Sequence, residues 1–262
     1  MFGFGYEKVV YHRGAPGTYW VEGDQMLKSA HLLIAGSTGC GKSTMIHSLI
    51  WTAIRNPRAL TQLLLIDMKR GVELCKYEHL PHTVGFAETL PQALSALDHA
   101  IALMESRLTE VKAKRAAIYD GPDLYIVIDE LGFLLQEGGQ DALRRLTTIG
   151  RLGRAARIHL ILATQDPSKV GIPAQIQQNS TCRVGLRCAD AMQSRQIIGV
   201  AGCEALPRYG QGIMYEGPER TLIAIPMIPE EEQNARLAYW SDPANYTEIR
   251  KEKRVRRFWK SK

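Results

Sequence analysis

Apolar residues fall along this chain in short unbroken runs, separated by stretches with helical spacing. The runs at 31–35 (His-Leu-Leu-Ile-Ala), 62–67, 124–129, 158–164 and 181–187 are almost continuously apolar. Strands buried on both faces of a sheet have that pattern. Between them Leu94, Leu97, Ile101, Met104, Leu108 and Val111 step by three and four, which predicts a helix over about 90–116 with one core-facing stripe. Thr89 with Gln92 reads as its capping box, and Pro91 suits its first turn. Another helix is predicted from Thr44 to about Arg55, and a basic helical segment across 144–157. Strands alternating with helices argue for an α/β fold: a mostly parallel sheet with helices on both faces. A closing antiparallel pair is expected at 212–216 and 220–225, around Glu216-Gly-Pro218.

The same pattern divides the chain. Residues 1–30 read as a short β-rich lead-in, with turn signals at Gly14-Ala-Pro-Gly17 and Gly23-Asp24. Residues 31–228 form the main domain. Pro226, Pro229 and the acidic run Glu230-Glu-Glu232 mark the exit into an extension, 229–262.

Length and charge refine this picture. With 262 residues there is room for one large α/β domain and short appendages. No apolar run approaches the roughly 18 residues of a membrane helix, and the first residues lack a signal-peptide layout. The five cysteines are odd in number and form no C-x-x-C pair, so reduced thiols and a cytoplasmic location are expected. The net charge of +6 is a property of the end: residues 250–262 hold eight Lys/Arg and one Glu, and the rest is close to neutral. Such a tail, with Phe258 and Trp259 in it, is either a nucleic-acid or acidic-surface contact or a solvated, disordered end.

The strongest chemical signal is Gly36-Ser37-Thr38-Gly39-Cys40-Gly41-Lys42-Ser43, followed by Thr44. It lies between an apolar strand and an amphipathic helix. G-x-x-x-x-G-K-[ST] in that setting lets backbone N–H groups wrap a phosphate chain at a helix N-terminus. Lys42 would reach the β/γ-phosphates and the Ser43 hydroxyl would ligate Mg²⁺, so a nucleoside triphosphate, ATP with Mg²⁺, is the implied ligand. Cys40 reads as a small filler residue. Leu124-Tyr-Ile-Val-Ile-Asp129-Glu130 is an apolar strand ending in two acids. Asp129 is positioned to hold Mg²⁺ and Glu130 to polarise an attacking water, which favours hydrolysis. Gln165, at the tip of the 158–164 strand, would sense the γ-phosphate. Arginines of the 144–157 segment offer an arginine finger toward a neighbouring subunit. The seven histidines lack metal-ligand spacing.

With these residues in hand, the chain over about 30–225 resembles the motor domain of the FtsK/SpoIIIE family of DNA translocases, within the FtsK–HerA group. The resemblance rests on residues 31–43, Leu65-Ile-Asp-Met-Lys69, Glu73-Leu, Leu80-Pro-His82 and Ile126-Val-Ile-Asp-Glu130. It continues through Gly153-Arg-Ala-Ala-Arg-Ile-His-Leu-Ile-Leu-Ala-Thr-Gln165, Pro167-Ser168, Thr181-Cys-Arg183, Ser194-Arg195 and Gly210-Gln-Gly-Ile-Met-Tyr215. It implies a RecA-like core, a ring that is usually hexameric, and ATP-driven movement along double-stranded DNA. It points to Lys42 and Ser43 for phosphate and Mg²⁺, Asp129 and Glu130 for metal and water, Gln165 as sensor and Arg154 as the arginine finger.

The chain departs from the family where Asp166 replaces Arg, Met68 replaces Pro and Gln193 replaces Asp. Lys69, Arg70 and Lys169 are candidates to line a pore. Membrane helices, a long linker and a winged-helix domain have no counterpart, which favours a compact motor of a conjugative element, plasmid or phage. A relaxase, membrane or DNA-loading partner would then supply anchoring or DNA choice. Two alternatives stay open: a coupling or packaging ATPase acting on single-stranded DNA or a protein–DNA conjugate, and a non-hydrolysing, nucleotide-switched DNA-binding adaptor.

Overall fold

The computed structural model describes residues 10–13, 19–54, 61–168, 172–217, 219–225 and 227–242. The basic tail at 250–262, the turn at Gly14–Gly17 and Lys169 lie outside the described residues. In chain order the elements are β1 (Val10–Arg13), β2 (Tyr19–Glu22), α1 (Gly23–Lys28), β3 (His31–Ala35), α2 (Lys42–Ile54), β4 (Gln62–Ile66) and β5 (Thr83–Ala87). There follow α3 (Leu90–Ala113), β6 (Leu124–Ile128), α4 (Leu131–Leu152), β7 (Ile158–Thr164), α5 (Ala174–Asn179) and β8 (Cys182–Gly185). The last are α6 (Ala191–Ile198), β9 (Gln211–Glu216), β10 (Glu219–Ala224) and α7 (Glu230–Ser241).

One ten-stranded sheet runs β2-β1-β10-β9-β8-β3-β7-β6-β4-β5. From β8 to β5 the strands are parallel, and β9, β10, β1 and β2 add antiparallel pairs at the other edge. This is the α/β, RecA-like arrangement. Its two faces follow from the strict alternation of side chains along a strand. Leu32 and Ile34 of β3 join Leu63 and Leu65 of β4, Val127 of β6 and Val184 of β8 in a core closed by Met45, Leu49, Ile50 and Trp51 of α2. Leu33 and Ala35 join Leu64, Ile66, Ile126, Ile128, Leu160 and Leu162 in the opposite core, covered by α3, α4, α5 and α6. Each fully buried Leu or Ile contributes about 1.5–3 kcal/mol relative to exposure. β3 therefore sits between two apolar layers, and the loop that leaves its end is held rigidly.

The elements differ from expectation in instructive ways. α2 starts at Lys42, so the lysine and Ser43 form its first turn. α3 ends at Ala113, and its start is fixed as expected, with the Thr89 N–H donating to Gln92 Oε1 at 3.1 Å. β5 was not anticipated, because Thr-Val-Gly-Phe-Ala has glycine at its centre and a half-exposed edge position. Gly23-Asp24, read as a turn, opens α1. The first half of α4 was also missed, since Gly138-Gly139 breaks its pattern. Gly139 has φ 51° and ψ −135°, a kink inside the helix.

β1 and β2 continue the main sheet through β10. Beyond Pro229 the chain returns to the body. Trp240 of α7 is buried, with its ring edge-on to His82 at 5.0 Å.

Candidate functional site

In a parallel sheet the loops beyond the strand C-termini gather along one edge. Here β3, β7, β6 and β4 bring the phosphate-binding loop, Gln165, Asp129-Glu130 and Asp67 to that edge. The loop is anchored at its start. Gly36 N–H donates to Thr164 O at 3.3 Å and Ser37 N–H to Arg187 O at 2.8 Å. Those two amides are therefore committed to the scaffold, and Gly36 and Ser37 hold the loop rather than offer N–H groups to a phosphate. A Cβ on Gly36 would lie 2.8 Å from Leu186 Cβ and 2.9 Å from Cys40 Sγ, so only glycine fits. Gly39 and Gly41 take left-handed φ values of 71° and 104°, which turn the backbone around a concave surface.

Lys42 is buried, and its ammonium donates to Gly36 O and Ser37 O, both at 2.7 Å. Burial lowers its pKa. Cys40 is buried as well, and burial raises its thiol pKa; a filler role fits that environment.

The acids are held from three strands. Asp129 is buried, and its Oδ1 accepts from Met68 N–H at 3.1 Å. A proline at position 68 lacks that donor, so the Met68 departure gives Asp129 a hydrogen bond. Asp129 Oδ2 is buried without a hydrogen-bond partner among the described residues, with the Lys69 ammonium 3.7 Å away. Burial pushes the Asp129 carboxyl up to about 7, the Asp67 charge adds to this, and Lys69 opposes it. Glu130 Oε1 accepts from Thr164 Oγ1 and from Gln165 N–H, each at 3.0 Å, and its Oε2 lies 3.4 Å from Lys69 Nζ. Thr38 Oγ1 in turn donates to Gln165 Oε1 at 2.6 Å. Gln165 thus joins the tip of β7 to the phosphate-binding loop.

These groups border a cleft of about 320 Å³, lined by Thr38, Lys42, Ser43, Asp129, Gln165 and Lys69 among others. Glu130 sits behind that lining, tied to Thr164 and Lys69. Several contributors were not singled out from sequence. Asp67 Oδ2 accepts from the N–H groups of Glu73 and Leu74, both at 2.8 Å, and so organises the loop after β4. Lys69, a pore candidate by sequence, faces the two acids instead, whereas Arg70 is exposed. His47, Glu73 and Tyr209 also line the cleft. A signal existed: Asp67 and Thr164 stand at the C-terminal ends of strands, where such sites form.

Arg154 is not brought into this cleft. It is exposed in the 3₁₀ turn Gly153–Ala156, just before β7 begins. The seven residues of β7 separate it from Gln165, roughly 20 Å at a strand's rise per residue. Of the other arginines in that segment, Arg145 pairs with Asp98 of α3 at 2.7 Å, Arg144 with Asp141 at 2.5 Å and Arg157 with Asp123 at 3.5 Å. The remaining departures have local uses. Asp166 Oδ1 accepts from Ser168 N–H, and Gln193 Oε1 accepts from Ala189 N–H at the start of α6.

Comparison with known proteins gives concordant results. Residues 20–121 match the FtsK/SpoIIIE family. The DNA translocase FtsK of Helicobacter pylori strain J99 is 35% identical over 209 residues, 74% of this chain and 24% of that protein. The Leptospira interrogans protein of the same name is 35% identical over 233 residues, 80% of this chain and 24% of its own length. The chain thus spans about a quarter of the length of these relatives. Among solved structures, the conjugation coupling protein TcpA of pCW3, with ATPγS, has a TM-score of 0.73 at 22% identity, covering 88% of this chain and 72% of that one. ATPases 2 and 3 of EssC from Geobacillus thermodenitrificans give 0.76 at 18% identity, covering 92% and 49%. Both share the fold. From the family match, and from 35% identity to these relatives over 74% and 80% of its length, the chain belongs to the FtsK/SpoIIIE family.

Proposed function

We propose that this chain is an ATP-hydrolysing motor unit that moves double-stranded DNA through a ring of like subunits, in the service of a mobile element. The observation that carries the reading is the convergence of Lys42, Ser43, Asp129 and Gln165 on one cleft, with Glu130 directly behind. Phosphates would lie against the N–H groups that open α2, with Lys42 as their counter-charge. The residues fit a divalent cation. Asp129 Oδ2 is a buried oxygen without a hydrogen-bond partner among the described residues, and Asp129 lines the same cleft as Ser43. Ser43 and Asp129 would hold Mg²⁺, which when bound neutralises charge on the phosphate oxygens.

Glu130 takes a proton from water during hydrolysis. Gln165, through Thr38, reports whether the γ-phosphate is present. Arg154 acts in trans, because the length of β7 lies between it and its own cleft.

The relatives named DNA translocase support DNA as the substrate; duplex rather than single strands is part of this proposal. The decisive measurement is ATP turnover with no DNA, with single strands and with duplex. Stimulation by duplex above single strands is expected. Greater stimulation by single strands would favour a coupling or packaging role, and no hydrolysis at all would leave a nucleotide-switched adaptor.

A further inference from the structure

The cleft has a second end that the chemistry above does not use. β7 and β6, which deliver Gln165 and Asp129, lie on one side of β3, while β8 and β9 lie on the other. Tyr209 stands just before β9 and lines the cleft together with Thr38, Gly39 and Thr44. A triphosphate whose terminal phosphate points to the acids therefore directs its base toward the β8/β9 side. Tyr209 is 61% exposed, so its ring face is open to a ligand in the cleft it lines.

The backbone on either side of the ring is anchored. Leu206, three residues earlier, is buried, and its carbonyl accepts from Arg187 Nη1 at 3.2 Å. Gly210, the next residue, takes φ 80°, and its carbonyl accepts from Ile225 N–H at 2.9 Å. The Arg208 guanidinium lies 5.2 Å from the Tyr209 ring centroid. It also reaches the phosphate-binding loop, since a Cβ on Gly39 would be 3.7 Å from its Nη2. A cation therefore sits between the ring and the loop, on the path from base to phosphates.

We infer that Tyr209 is the stacking platform for the nucleobase, with Arg208 placed for the phosphate nearest the sugar. This rests on the reading of the cleft as a nucleoside triphosphate site, and it adds the class of base recognition: by π-surface, which tolerates different bases. Arg208 beside the ring adds a cation–π contact that holds the platform's orientation.

Calorimetric titration of the full chain with a non-hydrolysable ATP analogue and with inorganic tripolyphosphate, each with Mg²⁺, tests it. Tyr209→Ala should weaken the analogue about 10-fold, as loss of one aromatic–base stack does, while Tyr209→Phe keeps wild-type affinity. Tripolyphosphate, which has no base, should bind all three proteins equally. Unchanged affinity for the analogue in Tyr209→Ala overturns the inference. So does an equal loss of analogue and tripolyphosphate, which would make Tyr209 a support for the loop. A wild-type protein that binds neither ligand defeats the nucleotide reading itself, and this inference with it.

Discussion

Lys42 and Glu130 occupy the same site but act at different moments, and substitutions should separate them. Lys42 is packed against the loop it serves, its ammonium on two carbonyls of that loop. Its charge is what the bound phosphates meet in the ground state, so Lys42→Ala should abolish nucleotide binding. Glu130 is tied to Thr164, Gln165 and Lys69 and stands behind the cleft lining. Its charge matters when water is deprotonated, and general-base contributions run to about 10²–10⁴-fold. Glu130→Gln should therefore bind nucleotide normally and hydrolyse it at least about 100-fold more slowly. Binding by fluorescence titration and phosphate release in single turnover check both. Near wild-type hydrolysis by Glu130→Gln would remove Glu130 as the base.

Among the helices, α4 carries the clearest local device. It starts at Leu131, directly after its N-cap Glu130, runs back along the sheet, and is broken at Gly139 with φ 51° and ψ −135°. That region of backbone space is essentially reserved for glycine, and forcing another residue into it costs about 1–3 kcal/mol. Gly139→Ala should lower stability by that amount, seen as an earlier urea midpoint with an unchanged slope. A midpoint equal to wild type would mean that the kink adapts to a side chain. Leu33 of β3 gives a reference for scale, since it is fully buried in the core under α3 and α4. Leu33→Ala should cost about 2–5 kcal/mol.

Over the whole molecule, buried titratable groups set the response to acid. Burial lowers His31, His47 and His82 to about 4 each, whereas the unfolded chain titrates them near pH 6.5. Between those values the unfolded state binds more protons, so stability falls as pH falls. Asp129 runs the other way: raised from 3.8 to about 7, it is the folded state that holds the extra proton, and its contribution improves on acidification. Three histidines outweigh one acid. The unfolding free energy should drop between about pH 6.5 and about pH 5, by up to ~1.4 kcal/mol per pH unit for each unbalanced proton, and urea midpoints should fall with it. A midpoint that rises toward pH 5 would contradict the burial argument. At the level of assembly, Arg154→Ala should bind nucleotide normally but turn over slowly. Mixing it with Lys42→Ala subunits should restore activity where an intact Arg154 meets an intact loop. No recovery in demonstrably mixed assemblies would count against action in trans.

The phosphate-binding loop, the acid pair after β6 and five of the parallel strands were legible in the sequence because each depends on neighbours in the chain. Apolar runs report burial on both faces, and G-x-x-x-x-G-K-S reports a backbone shape. β5 and the first half of α4 were not legible, since Gly85 and Gly138-Gly139 interrupt the periodicity, and what orders them is packing against β4 and α3. The strand order decided the rest. Only with β7 and β6 on one side of β3 and β8 and β9 on the other do Lys69, Gln165 and Tyr209 reach the cleft from three distant stretches. Arg154 precedes β7 and so lies at the opposite end of that strand from Gln165. Local patterns determine which elements form. Which side chains meet is decided by non-local hydrogen bonds between strands, and no window of the sequence contains both partners.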